Sequence, residues 1–131
     1  VLIGDPDLVR LLRGVLPPYP LPSLSLEAAE QMLTPEALHR ARDEVAATVD
    51  RRDRLADQLA SLDAVEHVWP SEGNFLLVRF RNADAAMEAC RAGGVLVRDF
   101  TRAPGLAGCA RITVGDGAQN QRLTDILGSV R

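Results

Sequence analysis

The sequence predicts an α+β fold in which helices cover one face of a small, mainly antiparallel sheet. From Val65 onward, runs of strand formers and runs with helical spacing follow one another in the order β-β-α-β-β-α. An unusually long helix-forming stretch, from Thr34 to about Leu62, precedes them. The chain of 131 residues is 47% hydrophobic and 25% charged, which suits one domain with a modest core.

The chain begins with a strand-like run, residues 1–4, followed by a short helix. Asp5 is an N-cap candidate and Pro6 occupies the first helical position, where a missing N–H costs nothing. Four prolines between residues 17 and 22 then exclude a helix and predict an extended crossing segment. Tyr19 lies in this rigid segment, either as a packing residue or as a group presented for function.

Two further helices are expected before the sheet. Ser23 or Ser25 is expected to cap a short one, and Thr34 caps the long one. The long helix carries an apolar stripe that Arg52 interrupts near its middle. Its opposite face mixes acids with arginines, as in the run 50–54, and is interpreted as a solvated, salt-bridged surface rather than a nucleic-acid patch.

The next segments predict a hairpin-like pair of strands and a helix. Val65–Trp69 is typical of an edge strand and Phe75–Phe80 of a stronger one. Asn74, just before the second strand, is either a turn residue or a polar group directed into a cleft. Asn82 is expected to cap a helix that ends at Gly93-Gly94.

Two further strands and a last helix complete the predicted order. The strands are Val95–Val97 and Ala110–Val114, and the loop between them is too rich in glycine and proline for a tight hairpin. Asp116 and Gln119 form a capping-box pattern at the start of the last helix.

Arg98 and Arg111 stand near the loop between these two strands. If the strands pair, both guanidinium groups are held on rigid backbone near one edge of the sheet. Guanidinium is a planar fork of donors that binds carboxylate and phosphate in bidentate fashion, so the pattern suggests a two-anchor anion site. The alternative is that both arginines are solvated strand ends.

Other site classes find no support in the sequence. The formal net charge of −3 favours neither nucleic acid nor an anionic membrane, and no apolar run approaches a membrane span. His39 and His67 lie far apart, so we predict no metal site. Cys90 and Cys109 are expected to be reduced, partly buried thiols. Phosphate-binding, dinucleotide-binding and serine-hydrolase motifs do not occur.

The basic residues are all arginines, and the sequence contains no lysine. No side chain of this chain can therefore form a Schiff base with a carbonyl cofactor or substrate. The chain also opens on Val1 within a strand-like run, and we expect it to be part of something longer.

Five segments together resemble histidinol-phosphate aminotransferases, a family of fold type I enzymes that use pyridoxal phosphate. The resemblance covers the whole chain, and the assignment rests on the five segments occurring in the same order as in the family. The segments are Val1–Asp5, Pro18–Leu21 (Pro-Tyr-Pro-Leu), Ser71–Phe75 (Ser-Glu-Gly-Asn-Phe), Gly94–Arg98 and Cys109–Gly115.

The resemblance implies roles for four residues. Arg111 matches the arginine that binds the substrate α-carboxylate, and Arg98 matches the arginine expected on the substrate phosphate. Asn74 and Tyr19 match positions near the active-site cleft. It also implies that residues 1–33 connect to a large domain and that residues 34–131 form the carboxyl-terminal small domain, long helix included.

The resemblance further implies a reaction for the longer parent. A cytoplasmic homodimer would transfer an amino group between histidinol phosphate and 2-oxoglutarate. Pyridoxal phosphate would be bound by the parent and not by this chain, which is expected to be inactive alone. The alternatives are a related aromatic amino acid aminotransferase, a stand-alone anion-binding or regulatory module, and a structural module that self-associates.

Overall fold

The computed structural model describes residues 3–17 and 21–130, so the predictions for Tyr19 and its neighbours lie outside the described residues. Within these ranges the chain forms five helices and one four-stranded sheet. The elements are α1 Pro6–Val15, α2 Ser23–Met32, α3 Pro35–Ala60, β1 Val65–Val68, β2 Phe75–Phe80, α4 Ala83–Ala92, β3 Arg98–Asp99, β4 Cys109–Thr113 and α5 Gly117–Gly128. The chain divides within α3 into two compact units, Val1–Arg42 and Asp43–Arg131.

The helices of the first unit are defined by local capping. The Asp5 carboxylate accepts hydrogen bonds from the backbone N–H groups of Asp7 and Leu8, which confirms the predicted start of α1. The hydroxyl of Thr34 accepts from the N–H of Ala37 at 3.2 Å, which confirms the start of α3. No residue of α1 or α2 is buried.

The predicted cap of α2 is wrong. The N-cap residue is Pro22, in an extended conformation, and no side chain caps this helix. The Pro22 carbonyl accepts from the N–H groups of Ser25 at 3.0 Å and Leu26 at 3.1 Å. Ser23 and Ser25 therefore lie inside the first turn, because the extended backbone that precedes a helix ends one residue before Ser23.

The sheet of the second unit has the strand order β1-β2-β4-β3, and every neighbouring pair is antiparallel. This confirms the predicted class and the order β-β-α-β-β-α. The central pair β2–β4 has an unbroken register from Phe75 opposite Thr113 to Arg79 opposite Cys109. β3 is the short edge strand beside β4.

One face of the sheet packs against helices and the other does not carry the core. Alternation along β2 buries Leu76, Val78 and Phe80. These three side chains belong to one hydrophobic cluster with residues of the carboxyl-terminal half of α3, of α4 and of α5. The helical members of that cluster are Leu55, Leu59, Ala86, Met87, Cys90, Leu123 and Leu127.

The apolar stripe predicted along α3 is buried only in part. Leu55 and Leu59 are 1% and 0% exposed, whereas Val45 and Val49 are 63% and 40% exposed. Arg52 lies at the transition, and its side chain is only 11% exposed. The sequence pattern marks which side of the helix is apolar but does not tell where along the helix a partner surface begins.

The strand predicted at Val95–Val97 is wrong, because strand β3 begins only at Arg98. The N–H of Val95 donates to the Cys90 carbonyl at 2.8 Å, and that of Gly94 donates to Arg91 at 3.0 Å. With Gly94 at φ +70°, these bonds form the Schellman motif that ends α4. Residues 94 and 95 therefore belong to the end of α4, and the chain enters the sheet only at Arg98.

Local capping also defines the other helices of the second unit, as predicted. The side chain of Asn82 accepts from the N–H of Ala85 at 3.1 Å at the start of α4. Asp116 and Gln119 form both bonds of a capping box at the start of α5. The bond from the Asp116 N–H to Gln119 is 3.0 Å and the return bond is 2.8 Å.

Candidate functional site

The two arginines singled out by sequence lie side by side. Arg98 of β3 and Arg111 of β4 are direct cross-strand partners. Directly opposite residues of an antiparallel pair have Cβ atoms about 4.5–5.5 Å apart and point to the same face. The structure therefore brings both side chains together at the edge of the sheet, and both are exposed.

The face that bears the arginines is the one opposite the core. Arg111 lies between the buried residues Ala110 and Ile112 of β4, so its side chain points away from them. Its partner in β2 is Leu77, between the buried Leu76 and Val78. Arg98, Arg111 and Leu77 thus form one cross-strand row on the outward face.

Each arginine lies over an aromatic ring of the same face. The guanidinium carbon of Arg111 is 5.2 Å from the centre of the Phe75 ring. That of Arg98 is 5.9 Å from the centre of the Phe100 ring. These distances are within the range of cation–π attraction, which restricts the orientation of guanidinium groups without consuming their hydrogen-bond donors.

No carboxylate of residues 3–17 or 21–130 forms an ion pair with Arg98 or Arg111. Asp99 follows Arg98 in β3, but its carboxylate accepts from the Thr101 N–H at 2.7 Å. Hydrogen bonding from the side chain and then from the backbone of Thr101, more than the charges of Arg102 and Arg91, lowers the pKa of Asp99. Two neighbouring cations without an acidic partner are destabilising, so the arrangement suits an external anion.

Asn74 lies beside the end of β4. Its backbone carbonyl accepts from the N–H of Val114 at 2.9 Å, and its side chain is exposed. It directly precedes Phe75, the first residue of β2. The structure therefore places Asn74 next to the aromatic ring that contacts Arg111, while the role of its amide stays a prediction.

The loop before β2 is tied to helix α3. The Arg52 guanidinium donates to the Gly73 carbonyl at 3.4 Å and pairs with Asp53 at 2.9 Å. A Cβ at Gly73 would lie 2.9 Å from Cε1 of Phe75, so the ring packs where a side chain would otherwise stand. Arg52, which interrupts the apolar stripe in the sequence, thus contacts the loop that carries Asn74 and Phe75.

Asn120 of α5 holds the residue that follows the carboxyl-terminal end of β4, and it is 8% exposed. Its amide oxygen accepts from the Gly115 N–H at 2.9 Å, and its amide nitrogen donates to the Gly115 carbonyl at 3.2 Å. One side chain thereby satisfies both backbone groups of a residue that no longer pairs in the sheet. This contact fixes the end of the strand that presents Arg111.

The sequence pointed to the arginines but not to the rings beneath them. Phe75 and Phe100 gain their place from strand register, which the sequence alone does not reveal. One signal was available for Phe100. It stands two residues after Arg98, and residues at that spacing share a face of a strand.

A cleft of about 410 Å³ does not include the two arginines. It is lined by residues 94–97, the end of β4 and the first turns of α5. Its lining contains one cation, Arg122, whose guanidinium already donates to the Gly93 carbonyl at 2.6 Å. We therefore place the candidate site on the open outward face, where the arginine donors are available.

Among residues 3–17 and 21–130, no three His, Cys, Asp or Glu side chains cluster as metal ligands would. No helix in those ranges is long and apolar enough to cross a membrane. Cys90 and Cys109 are buried free thiols.

The fold agrees with comparisons to known proteins. The profile of the family Aminotransferase class I and II matches residues 1–127. A histidinol-phosphate aminotransferase of Xylella fastidiosa is 46% identical over 99% of this chain, and one of Salmonella paratyphi B is 38% identical over 95%. The chain spans 36% and 35% of the lengths of these relatives.

A solved structure from Burkholderia pseudomallei, provisionally assigned as an aminotransferase, superposes with a TM-score of 0.81 at 30% identity. The match covers 95% of this chain and 37% of the other. The fold is therefore that of part of a fold type I aminotransferase. The chain belongs to the class I and II aminotransferase family.

Family members generally depend on pyridoxal phosphate, act on small molecules and commonly form homodimers. This chain contains no lysine, the residue whose amine attaches that cofactor in such enzymes.

Proposed function

We propose that this chain supplies the substrate-anchoring surface of a pyridoxal phosphate-dependent aminotransferase that acts on histidinol phosphate and 2-oxoglutarate. The relatives named histidinol-phosphate aminotransferases, at 38% to 46% identity, support the choice of reaction. The direct pairing of Arg98 with Arg111 on the outward face carries the proposal. The lysine and the other groups that hold the cofactor would belong to the rest of the parent protein.

The two arginines have separate roles in this proposal. Arg111 binds the α-carboxylate of the amino acid or oxo acid, and Arg98 binds the phosphate of the amino alcohol phosphate. A bidentate contact from a guanidinium group fixes the anionic end of each substrate and so limits its rotation. Asn74 would add a polar contact at the edge of the same site, and the role of Tyr19 stays a prediction.

The electrostatic arrangement supports this assignment over that of solvated strand ends. Strand ends that serve no ligand gain nothing from two like charges set directly opposite one another. Here the pair is kept without a carboxylate partner in the described residues, although the chain as a whole is acidic, with net charge −3. A bound carboxylate or phosphate would relieve the repulsion.

The test is a titration of the 131-residue chain with inorganic phosphate, followed by the ¹H–¹⁵N signals of the arginine Nε–H groups. We expect saturable shifts at Arg98 and Arg111, because their donors contact the anion directly. The variants Arg98→Gln and Arg111→Gln should each weaken binding, since each removes one charge-assisted contact worth about 1.5–3 kcal/mol. Arg54→Gln, which removes an exposed arginine paired with Asp50, is the matched control.

Shifts spread evenly over all arginines, or binding that neither variant weakens, would contradict the proposal. In the full-length parent, Arg111→Gln should lower kcat/KM for amino donors that carry a carboxylate. Arg98→Gln should lower it more for phosphorylated donors than for aromatic amino acids. An equal effect of the two variants on both donor classes would reject the division of roles.

A further inference from the structure

Two aromatic rings flank the arginine pair on opposite sides along the sheet. Phe75 is the cross-strand partner of Thr113, the last residue of β4. The N–H of Phe100 donates at 3.0 Å to the carbonyl of Cys109, the first residue of β4. Arg111 is the central residue of that strand, so one ring lies toward each end of it.

Each ring contacts a different guanidinium group. Arg111 lies over Phe75 at 5.2 Å, and Arg98 lies over Phe100 at 5.9 Å. The two cations are therefore drawn in opposite directions along β4, although their backbones are directly paired. This divergence lowers their mutual repulsion and leaves the donor edges of both groups available.

Neighbouring residues form the space that the Phe75 ring occupies. Its ring occupies the space beside Gly73 that a Cβ would fill at 2.9 Å, and Arg52 holds the Gly73 carbonyl. Gly73 does not have the left-handed backbone conformation that requires glycine. The absence of a side chain at Gly73 instead leaves room for the ring of Phe75.

We propose that Phe75 and Phe100 are positioning residues that hold the guanidinium groups of Arg111 and Arg98 apart, so that the site prefers ligands with two separated anionic groups. The preferred ligand class is a small dicarboxylate, whereas histidinol phosphate, with its single anionic group, would engage Arg98 alone. This inference rests on the proposed anion site and adds the spacing of its two anchors. A pair of convergent arginines would instead favour a single compact anion.

The first experiment needs no ligand and no activity. In the 131-residue chain, ring currents should shift the Hδ signals of Arg111 and Arg98 upfield. Phe75→Leu should abolish the shift of Arg111 alone, Phe100→Leu that of Arg98 alone, and Phe75→Tyr should keep it. Trp69→Leu is the matched control, because Trp69 contacts a third cation, Arg79, at 5.1 Å.

The second experiment measures ligand preference with a matched pair of 2-oxo acids. 2-Oxoglutarate carries two carboxylates and pyruvate carries one. Phe75→Leu and Phe100→Leu should each weaken binding of 2-oxoglutarate by about two- to fivefold, the effect of losing an exposed cation–π contact. Binding of pyruvate should change less, and Trp69→Leu should change neither.

Gly73→Ala gives an independent perturbation, because the added methyl group must displace the Phe75 ring. We expect it to reduce the Arg111 ring-current shift and the preference for 2-oxoglutarate together. Arginine Hδ signals without an upfield shift in the unsubstituted chain would overturn the inference. Leucine variants that lose the shifts but keep the full preference for 2-oxoglutarate would do the same.

The outcomes also separate this inference from the proposed function. If Arg98→Gln and Arg111→Gln weaken phosphate binding while the leucine variants leave ligand preference unchanged, the anion site stands and the positioning role fails. If neither glutamine variant weakens phosphate binding, the anion site itself is wrong.

Discussion

The two compact units obey the same local rules for helices but differ in burial. In the first unit, the side chain of Asp5 caps the start of α1, yet Leu11 and Val15 of this helix are 73% and 80% exposed. In the second unit, the side chain of Asp116 caps the start of α5, and Leu123 and Leu127 of that helix are 4% and 0% exposed. Capping thus decides where a helix begins, and burial decides whether it adds to the stability of a domain.

The comparison also bears on function. The exposed apolar side of α1, formed by Leu8, Leu11, Leu12 and Val15, has the residue spacing of a packing surface. The second unit buries its apolar side and leaves a charged sheet face outward. On the proposed function, the second unit presents the substrate anchors and residues 1–33 connect it to the rest of the parent.

The largest expected difference concerns one leucine from each unit. Leu59→Ala should lower the free energy of unfolding by about 2–5 kcal/mol, because Leu59 is fully buried. Leu11→Ala should change it by less than about 0.5 kcal/mol, because that side chain is already exposed to water. Urea unfolding followed by fluorescence of Trp69, the single tryptophan, measures both. Similar losses for the two variants would show that α1 is buried in solution.

A smaller effect is expected from the contact that holds the end of β4. Asn120→Ala should cost about 1–3 kcal/mol, because both backbone groups of Gly115 lose their partner. Gln121→Ala, one position along the same helix, removes only an exposed contact with Asp125 and serves as the control. Equal urea midpoints for the two variants would contradict this account.

The two N-caps offer a direct test of the difference between the units. Asp116→Ala should lower the stability of the second unit by about 1 kcal/mol, since the capping box is lost. Asp5→Ala should reduce the helicity of α1, measured by circular dichroism, and leave the Trp69 transition unchanged. A shift of that transition by Asp5→Ala would mean that the units unfold together.

The smallest effect is a pH dependence in the core of the second unit. Burial raises the pKa of the Cys90 thiol. Above the pKa of an unfolded cysteine, about 8.5, the unfolded chain loses a proton that the native chain retains. The free energy of unfolding should therefore fall as pH rises, until the native thiol ionises as well. Cys90→Ala should make this decline shallower, whereas Met87→Leu, a change in the same cluster without an ionisable group, should not.

Much of the fold could be predicted because its signals are local. Asp5, Thr34, Asn82 and Asp116 cap helices through contacts within three residues, and such contacts are encoded by adjacent sequence. The prediction of a strand at Val95–Val97 failed for a related reason. These residues favour strands, but in the Schellman motif at Gly94 the N–H of Val95 donates to a carbonyl of the helix and not to a neighbouring strand.

Of the residues in the candidate site, only the charged ones could be predicted from the sequence. Arg98 and Arg111 stand out by type and position, whereas Phe75 and Phe100 resemble ordinary strand residues until register places them under the guanidinium groups. Arg52 was visible as an interruption of an apolar stripe, but its contact with Gly73 spans 21 positions of sequence. Long-range contacts of this kind carry no local signal.

The central claim is that the chain keeps two like charges side by side in order to bind an anion. The most direct measurement is urea unfolding of the unsubstituted chain, Arg98→Gln, Arg111→Gln and the double variant in chloride and in phosphate at equal ionic strength. In chloride, the effects of the two single substitutions should not add, because either one alone removes a cross-strand repulsion of about 0.2–1 kcal/mol that the double variant can relieve only once. In phosphate, the unsubstituted chain should gain stability that the variants do not, because only its native state binds the anion tightly. Additive effects in chloride, or variants that gain as much from phosphate, would contradict the claim.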